Sequence, residues 1–325
     1  MDRLALNIDP YANDPGHWGA SLVSNAELLI PCLDAAGAQS VIEVGAYAGD
    51  VTSLLLEWAE GRGARIWAVD PSPQDRLVKL AEDHSNLELA RAPSLEALKT
   101  IPPADAVIID GDHNHYTVSE ELRLVEEAAG GGPLPLLFFH DVAWPHARRD
   151  DYFSPDLIPE ERRQPIVEGG GLYPGVEGIR PGGLPYHYPA AREGGPGNGV
   201  LTAVEDFVNA REGMQLAVVP AFFGFGVAWH RDAPYADAIT AVLEDWNGNP
   251  LLERLEANRV LHLASSHFQM VEAAKWQRRA ALKDELLREL LKSKSFSLAV
   301  AISRLRQRGK PAFSKDDVRR ALEAD

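Results

Sequence analysis

At 325 residues and 45% hydrophobic content the chain is long enough to bury a sizeable core. Its one cysteine, Cys32, excludes an intramolecular disulfide and a Cys-rich zinc site and reads as a small buried apolar residue. The net charge of −16 argues against a nucleic-acid surface, although residues 275–320 hold 14 Lys/Arg against 5 Asp/Glu, a local +9 that leaves −25 on the rest.

Met1-Asp2-Arg3-Leu4-Ala5 is not a basic segment leading into an apolar one, and no apolar stretch approaches the roughly 20 residues that span a bilayer. A cytoplasmic protein without a membrane partner is therefore expected. Residues 24–36 read as a short helix interrupted by Pro31, the end of an N-terminal cap segment over 1–37. Apolar runs then recur at 41–45, 66–69, 86–90, 105–109 and 134–139, with helical patterns between them at 75–83, 94–98 and 117–129. Alternation of strand and helix predicts a parallel, doubly wound sheet with right-handed crossovers.

Residues 143–199 change character, holding 11 Gly and 9 Pro with aromatics interspersed, among them Trp144, Tyr152, Tyr173, Tyr186 and Tyr188. Disordered segments are poor in aromatics, so this stretch reads as an ordered lid over a substrate. A helix at 200–210 and strands at 216–219 and 223–229 follow, the last two too close for an intervening helix and hence antiparallel. The expected fold is α/β: a Rossmann-like, doubly wound seven-stranded sheet over 38–232 with its last strand antiparallel, and a C-terminal helical extension over 233–325. In the extension, Leu251, Leu252, Leu255, Leu282, Leu286, Leu287, Leu290 and Leu291 are the apolar packing positions, and a homo-oligomer through these helices is one use for them. Ser314 with Asp317 marks the start of a final helix.

The densest local signal is Val41-Ile42-Glu43-Val44-Gly45-Ala46-Tyr47-Ala48-Gly49-Asp50, followed by Ile66-Trp67-Ala68-Val69-Asp70-Pro71. Strand, glycine turn, helix and a second strand ending in a carboxylate describe a nucleoside-binding βαβ unit. Tyr47 stands where a dinucleotide fingerprint needs its second glycine, so a bulky residue meets the path of a pyrophosphate. A cofactor without phosphate, joining an amino acid to a ribose, suits the turn, and S-adenosylmethionine is such a cofactor. Asp70 would accept the ribose hydroxyls, and Glu43 would reach the ammonium of the methionine part.

These residues resemble class I S-adenosylmethionine-dependent methyltransferases over about 38–230. Glu43-x-Gly45-x-x-x-Gly49 looks like that family's first motif and Val69-Asp70 like its second. Ala92-Pro93-Ser94 falls where the family contacts adenine. The resemblance implies a cofactor site of Glu43, Gly45, Ala46, Tyr47, Gly49, Asp70, Pro71, Ser94, Asp110 and Gly111.

Two polar clusters follow strands four and five: Asp110-Gly111-Asp112-His113-Asn114-His115 and His140-Asp141. Neighbouring strand ends lie about 5 Å apart, so the clusters converge. The pairing resembles a subgroup with the macrocin and mycinamicin sugar O-methyltransferases and the cephalosporin-hydroxylase-like proteins. That resemblance implies Asp110, His140 and Asp141 as ligands of a divalent metal and His113 as general base, with His115 and then His140 as the next candidates. His140 departs from the subgroup's acidic pair, which shifts preference from magnesium toward manganese, iron or zinc, or leaves the site without metal. Trp18, Trp144 and Tyr186 are the candidate substrate contacts. The expected reaction is methyl transfer to a hydroxyl of a small molecule, a sugar or glycosylated natural product in the resembling subgroup. A metal-dependent hydroxylase and a nonenzymatic cofactor-sensing or assembly protein are the alternatives.

Overall fold

The computed structural model describes residues 21–180, 182–186, 188–306, 309 and 314–322. Trp18 and most of the expected cap segment lie outside them. After a 3-10 turn at Leu22–Asn25, helix α1 (Ala26–Ala36) contains Pro31 and ends at Gly37, whose left-handed φ of 62° lets its amide return to Asp34.

Strands β1 (Ser40–Val44), β2 (Arg65–Val69), β3 (Leu87–Ala90), β4 (Ala106–Ile109) and β5 (Leu136–His140) pair in parallel in the order β3-β2-β1-β4-β5. Helices α2 (Asp50–Ala59), α3 (Asp75–Asp83), α4 (Ser94–Ala97) and α5 (His115–Ala129) make the crossovers. After the insertion, which carries the small antiparallel pair β6 (Gly171–Leu172) and β7 (Leu184–Pro185), the chain continues as α6 (Val200–Asn209), β8 (Met214–Val219) and β9 (Phe225–His230). β9 lies between β5 and β8, antiparallel to both, and completes seven strands in the order 3-2-1-4-5-9-8. This is the Rossmann-like sheet that the alternating pattern predicts.

Why these runs become central strands is visible in their burial. Ile66, Ala68, Ala106, Ile108, Leu136 and Phe138 face one core, with residues of α1, α2 and α7 (Ala236–Leu243). Their neighbours Ile42, Val44, Trp67, Val69, Val107, Ile109, Leu137 and Phe139 face the other, with α5 and α6. Both faces are covered, so the runs are apolar throughout rather than alternating.

The chain divides into two compact units, residues 1–266 and 267–325. The first runs past residue 232 because α7 completes the first core and Val260, Leu263 and Ala264 of helix α8 (Pro250–Lys292) form a small cluster with Leu184 and Phe223. In the second unit, α9 (Lys294–Arg306) is followed by α10 (Lys315–Leu322), where Ser314 Oγ donates to Asp317 at 2.6 Å and accepts its amide at 3.2 Å. Leu282, Leu286 and Leu290, expected as packing positions, are exposed. No helix of the described residues is long and apolar enough to cross a membrane.

The insertion is ordered by one buried carboxylate. Asp150 Oδ1 accepts the amides of His115, at the start of α5, and Gly199, at the start of α6, at 2.8 and 2.6 Å. Its Oδ2 accepts Tyr152 Oη at 2.7 Å, and that hydroxyl takes the amide of Gln164. Asp150→Ala strands these donors in a buried place, so its urea midpoint should fall by an amount equivalent to about 2–4 kcal/mol, with unchanged denaturant slope. A loss below about 0.5 kcal/mol, the size of a surface effect, would show that the insertion is held otherwise.

Candidate active site

The parallel strands bring their carboxyl ends together, and each expected site residue can be placed there. Gly45 leaves β1 with φ of 90°, its amide and that of Ala46 both pointing to the carbonyl of Val69. A Cβ at Gly45 would stand 1.9 Å from the carbonyl oxygen of Asp110, so only glycine allows the turn to cross β4 this closely. Tyr47 also has positive φ, at 37°, and its ring is 60% exposed. Asp70 accepts the amides of Tyr47 at 2.8 Å and Ser72 at 2.7 Å, which holds the turn against the end of β2. Pro71 is exposed beside it, and Gly49 begins α2 at φ of 79°. Glu43 is buried and accepts Thr52 Oγ1 at 2.6 Å; burial pushes its carboxyl up to about 8, against that hydrogen bond.

At the ends of β4 and β5, Asp110, His140 and Asp141 do converge. His140 Nδ1 lies 3.2 Å from an oxygen of each carboxylate, and His113 Nε2 lies 3.0 Å from the same Asp141 oxygen. His140 Nε2 is 2.9 Å from the carbonyl of Phe222, and an N–H there must donate to it. Nδ1, buried and without an aligned hydrogen bond, then faces two carboxylates. That arrangement calls for a cation, either a proton on Nδ1 or a metal ion in reach of all three donors. A histidine holding a carbonyl with its far nitrogen is the usual support of a metal-binding imidazole. Burial opposes a charge on His140, but Asp110 and Asp141 outweigh it and carry the ring well above its ordinary pKa. Asp141 adopts a left-handed φ of 57°, and backbone of this kind in a non-glycine residue clusters at functional sites.

His113 is 33% exposed; burial lowers its pKa, Asp141, Asp110 and Asp151 raise it, and the balance is about 9. His146 stacks on it, ring centroids 4.5 Å apart and planes at 25°, with Tyr186 edge-on to His146 at 4.9 Å. Burial, helped by the neighbouring His113, pushes His146 down to about 3, so the base candidate rests on a neutral ring. His113, His146 and Asp151 also have donor atoms within 4.8 Å of one another, but the two rings meet face to face, whereas imidazoles sharing an ion point their edges at it. Trp144, like Tyr186, packs against the small cluster around Leu184 and Phe223.

His115 is not brought to this cluster: its Nε2 pairs with Asp206 of α6 at 3.0 Å. Asp112 accepts Thr117 Oγ1 at 3.0 Å and the amide of Phe153 at 3.0 Å, serving the helix start and the insertion. Sequence reasoning missed His146 as the partner of His113, and Glu121, which is wholly buried on α5. A signal for Glu121 exists, because it is the one acid on the apolar stripe Val118, Leu122, Val125.

The model of a family described as a methyltransferase domain matches residues 42–142. Among solved structures, the S-adenosylhomocysteine-bound methyltransferase PaMTH1 of Podospora anserina is 13% identical, covering 64% of this chain and 78% of that one at a TM-score of 0.39. The O-methyltransferase TomG of Streptomyces achromogenes, in complex with S-adenosylmethionine, is 14% identical over 64% and 79% at 0.39. Human N-acetylserotonin methyltransferase, also in complex with S-adenosylmethionine, is 14% identical over 64% and 52% at 0.36. No curated protein matches the chain. The family match covers β1 to the end of β5, the segment that carries the glycine turn, Asp70 and the Asp110 and Asp141 cluster. Residues 42–142 thus match a methyltransferase-domain family, and they carry the five parallel strands of the Rossmann-like sheet.

Proposed function

We propose that the chain is an O-methyltransferase that moves a methyl group from S-adenosylmethionine to the hydroxyl of a small molecule. The observation that carries this reading is Asp141, whose one oxygen lies 3.0 Å from His113 Nε2 and 3.2 Å from His140 Nδ1 at the strand ends beside the glycine turn.

The residues of the turn fit the cofactor. Gly45 leaves no side chain at the crossing, and Asp70, with one backbone amide on each oxygen, keeps a lone pair on each for ribose hydroxyls. When bound, S-adenosylmethionine supplies a methyl on a positively charged sulfur, the electrophile of an in-line displacement. A hydroxyl is a weak nucleophile until its proton leaves. His113 takes that proton in this reading from its neutral form, which a pKa of about 9 makes the majority only in alkaline solution: Nε2–H then donates to Asp141, which fixes the ring and leaves Nδ1 with the lone pair. His146 supports the ring from its other face.

The donor set also fits a divalent ion. Asp110, His140 and Asp141 would hold it, and it would act as a Lewis acid that orients and acidifies the hydroxyl. One imidazole among two carboxylates favours manganese, iron or zinc over magnesium. Tyr186 of the insertion, edge-on to His146, and Trp144, packed on the same small cluster as Tyr186, would give the acceptor an aromatic wall.

S-adenosylhomocysteine at 100 times its Kd should stabilise the chain by about 2.7 kcal/mol in a thermal melt, and NAD should not. Stabilisation by NAD alone would sink the reading. Manganese should raise the melting temperature of the chain and leave that of Asp141→Asn unmoved; an equal rise in both removes Asp141 as a ligand. His113→Ala should lower kcat by about 10²- to 10⁴-fold while S-adenosylhomocysteine affinity stays within about threefold, and unchanged turnover would exclude His113 as base.

A further inference from the structure

His140 owes its orientation to the carbonyl of Phe222, 2.9 Å from its Nε2, and that carbonyl lies in a turn with little local reason to form. Between β8 and β9, Phe222 and Phe223 both have left-handed φ, 52° and 65°. Such backbone is costly for a bulky aromatic residue, and two in succession persist only where the surroundings hold them. One hold comes from the chain leaving β5, where the amide of Ala143 donates to the carbonyl of Phe223 at 2.7 Å. A Cβ on Gly224 would stand 2.4 Å from that same amide nitrogen, so the turn lies hard against it.

The other hold comes from helix α8. Glu256 is buried near its start, and Oε1 accepts the amide of Phe223 at 2.8 Å. The same carboxylate accepts Arg259 Nε at 2.6 Å and Nη2 at 2.7 Å. The Arg259 guanidinium in turn lies over the rings of Phe223 and Phe222, 4.5 and 5.7 Å from their centroids. One ion pair therefore grips both the backbone and the rings of the turn. The sheet does not need that grip, because β8 and β9 pair in register from Met214 with His230 to Val219 with Phe225. Exchanging a buried ion pair for apolar residues is often neutral for stability, so stability alone does not account for this one.

The N–H that Glu256 holds and the C=O that His140 meets are the two ends of a single peptide group, the one joining Phe222 to Phe223. A peptide group is planar, so fixing its N–H fixes the direction of its C=O. A carboxylate on the N–H also polarises the group and strengthens its oxygen as an acceptor.

We propose that Glu256 is a positioning residue of the strand-end cluster: through the Phe222–Phe223 peptide it holds the His140 ring with Nδ1 turned to Asp110 and Asp141. The first turns of the C-terminal extension then belong to the active site. A carboxylate, a peptide and an imidazole form the kind of outer support that orients a ring for a metal ion or a proton alike. The inference rests on the reading of His140 as a working group of the methyltransferase site, and it adds the element that aims it.

The test follows imidazole N–H signals by NMR in the full chain labelled with 15N-histidine. Nε2 carries hydrogen whether a proton or a metal ion occupies Nδ1, so the signal is due in either state. The unmodified chain should show a slowly exchanging Nε2–H of His140, identified by its loss in His140→Asn. Glu256→Gln should keep it, because the amide oxygen still accepts the Phe223 N–H. Glu256→Leu should speed its exchange with water at least 10-fold or abolish it. Leu55→Ala, a core change in α2, should lower the melting temperature and leave the signal in place, which separates positioning from plain loss of stability. Exchange in Glu256→Leu within threefold of the unmodified rate overturns the proposal. So does the absence of a slow His140 signal from the unmodified chain, a result that needs no variant to fold. S-adenosylhomocysteine binding is measured on the same samples: its absence from the unmodified chain overturns the methyltransferase reading, while the His140 signal decides the role of Glu256 by itself.

Discussion

The carboxylate of Asp150 is the constraint on which the upper half of this molecule depends. A parallel sheet supplies strand ends, but strand ends alone leave the 57-residue insertion without a place. Asp150 takes the first amide of α5, the residue before α6 and the hydroxyl of Tyr152, so two helix starts and the insertion share one acceptor. Its own amide is taken by Asn198 at 2.8 Å. Helix starts have spare N–H groups and a positive dipole end, which is why one buried anion can gather both. With the insertion anchored there, the amide of Asp151 reaches the carbonyl of His113 at 2.9 Å and sets the backbone of the candidate base.

The electrostatics of the site follow from crowding like charges at the ends of β4 and β5. Asp110 and Asp141 are within reach of a single imidazole nitrogen, and each has little water to screen it. Such a pair is stable only with positive charge between its members. His113 and His140 supply it in the protein alone, and the pull on both rings comes from the same acids. His146, one ring further away, feels burial more than it feels those acids and stays neutral. Three histidines within one site therefore differ in charge for reasons of distance, although nothing in their local sequence sets them apart.

The sheet was legible because buried parallel strands are short apolar runs spaced by helices, and the turn at 45–49 announced its own backbone. The convergence of 110–113 with 140–141 was legible too, since adjacent parallel strands end side by side. What the sequence could not supply was the partner of each polar group. His115 sits two residues from His113, yet the first turn of α5 carries it round to Asp206, 91 residues away. His146 lies in a segment with no period to read, so its stacking on His113 had no local sign. Glu121 did have one, an acid on an apolar helical stripe, but the stripe shows only that the residue is buried and not which loops enclose it. Leu282, Leu286 and Leu290 show the reverse, an apolar pattern whose side chains are exposed in the single chain.

The crossing of Gly45 over Asp110 has a mechanical consequence. With 1.9 Å between the carbonyl oxygen and the place where a side chain would begin, the two backbones are in van der Waals contact with nothing compressible between them. The amide of Asp110 is also tied to the carbonyl of Val44 at 3.0 Å. A shift of the turn is thus transmitted as a shift of the Asp110 backbone without passing through any rotatable side chain. The glycine turn and the backbone of Asp110 are therefore joined directly, through two peptide groups.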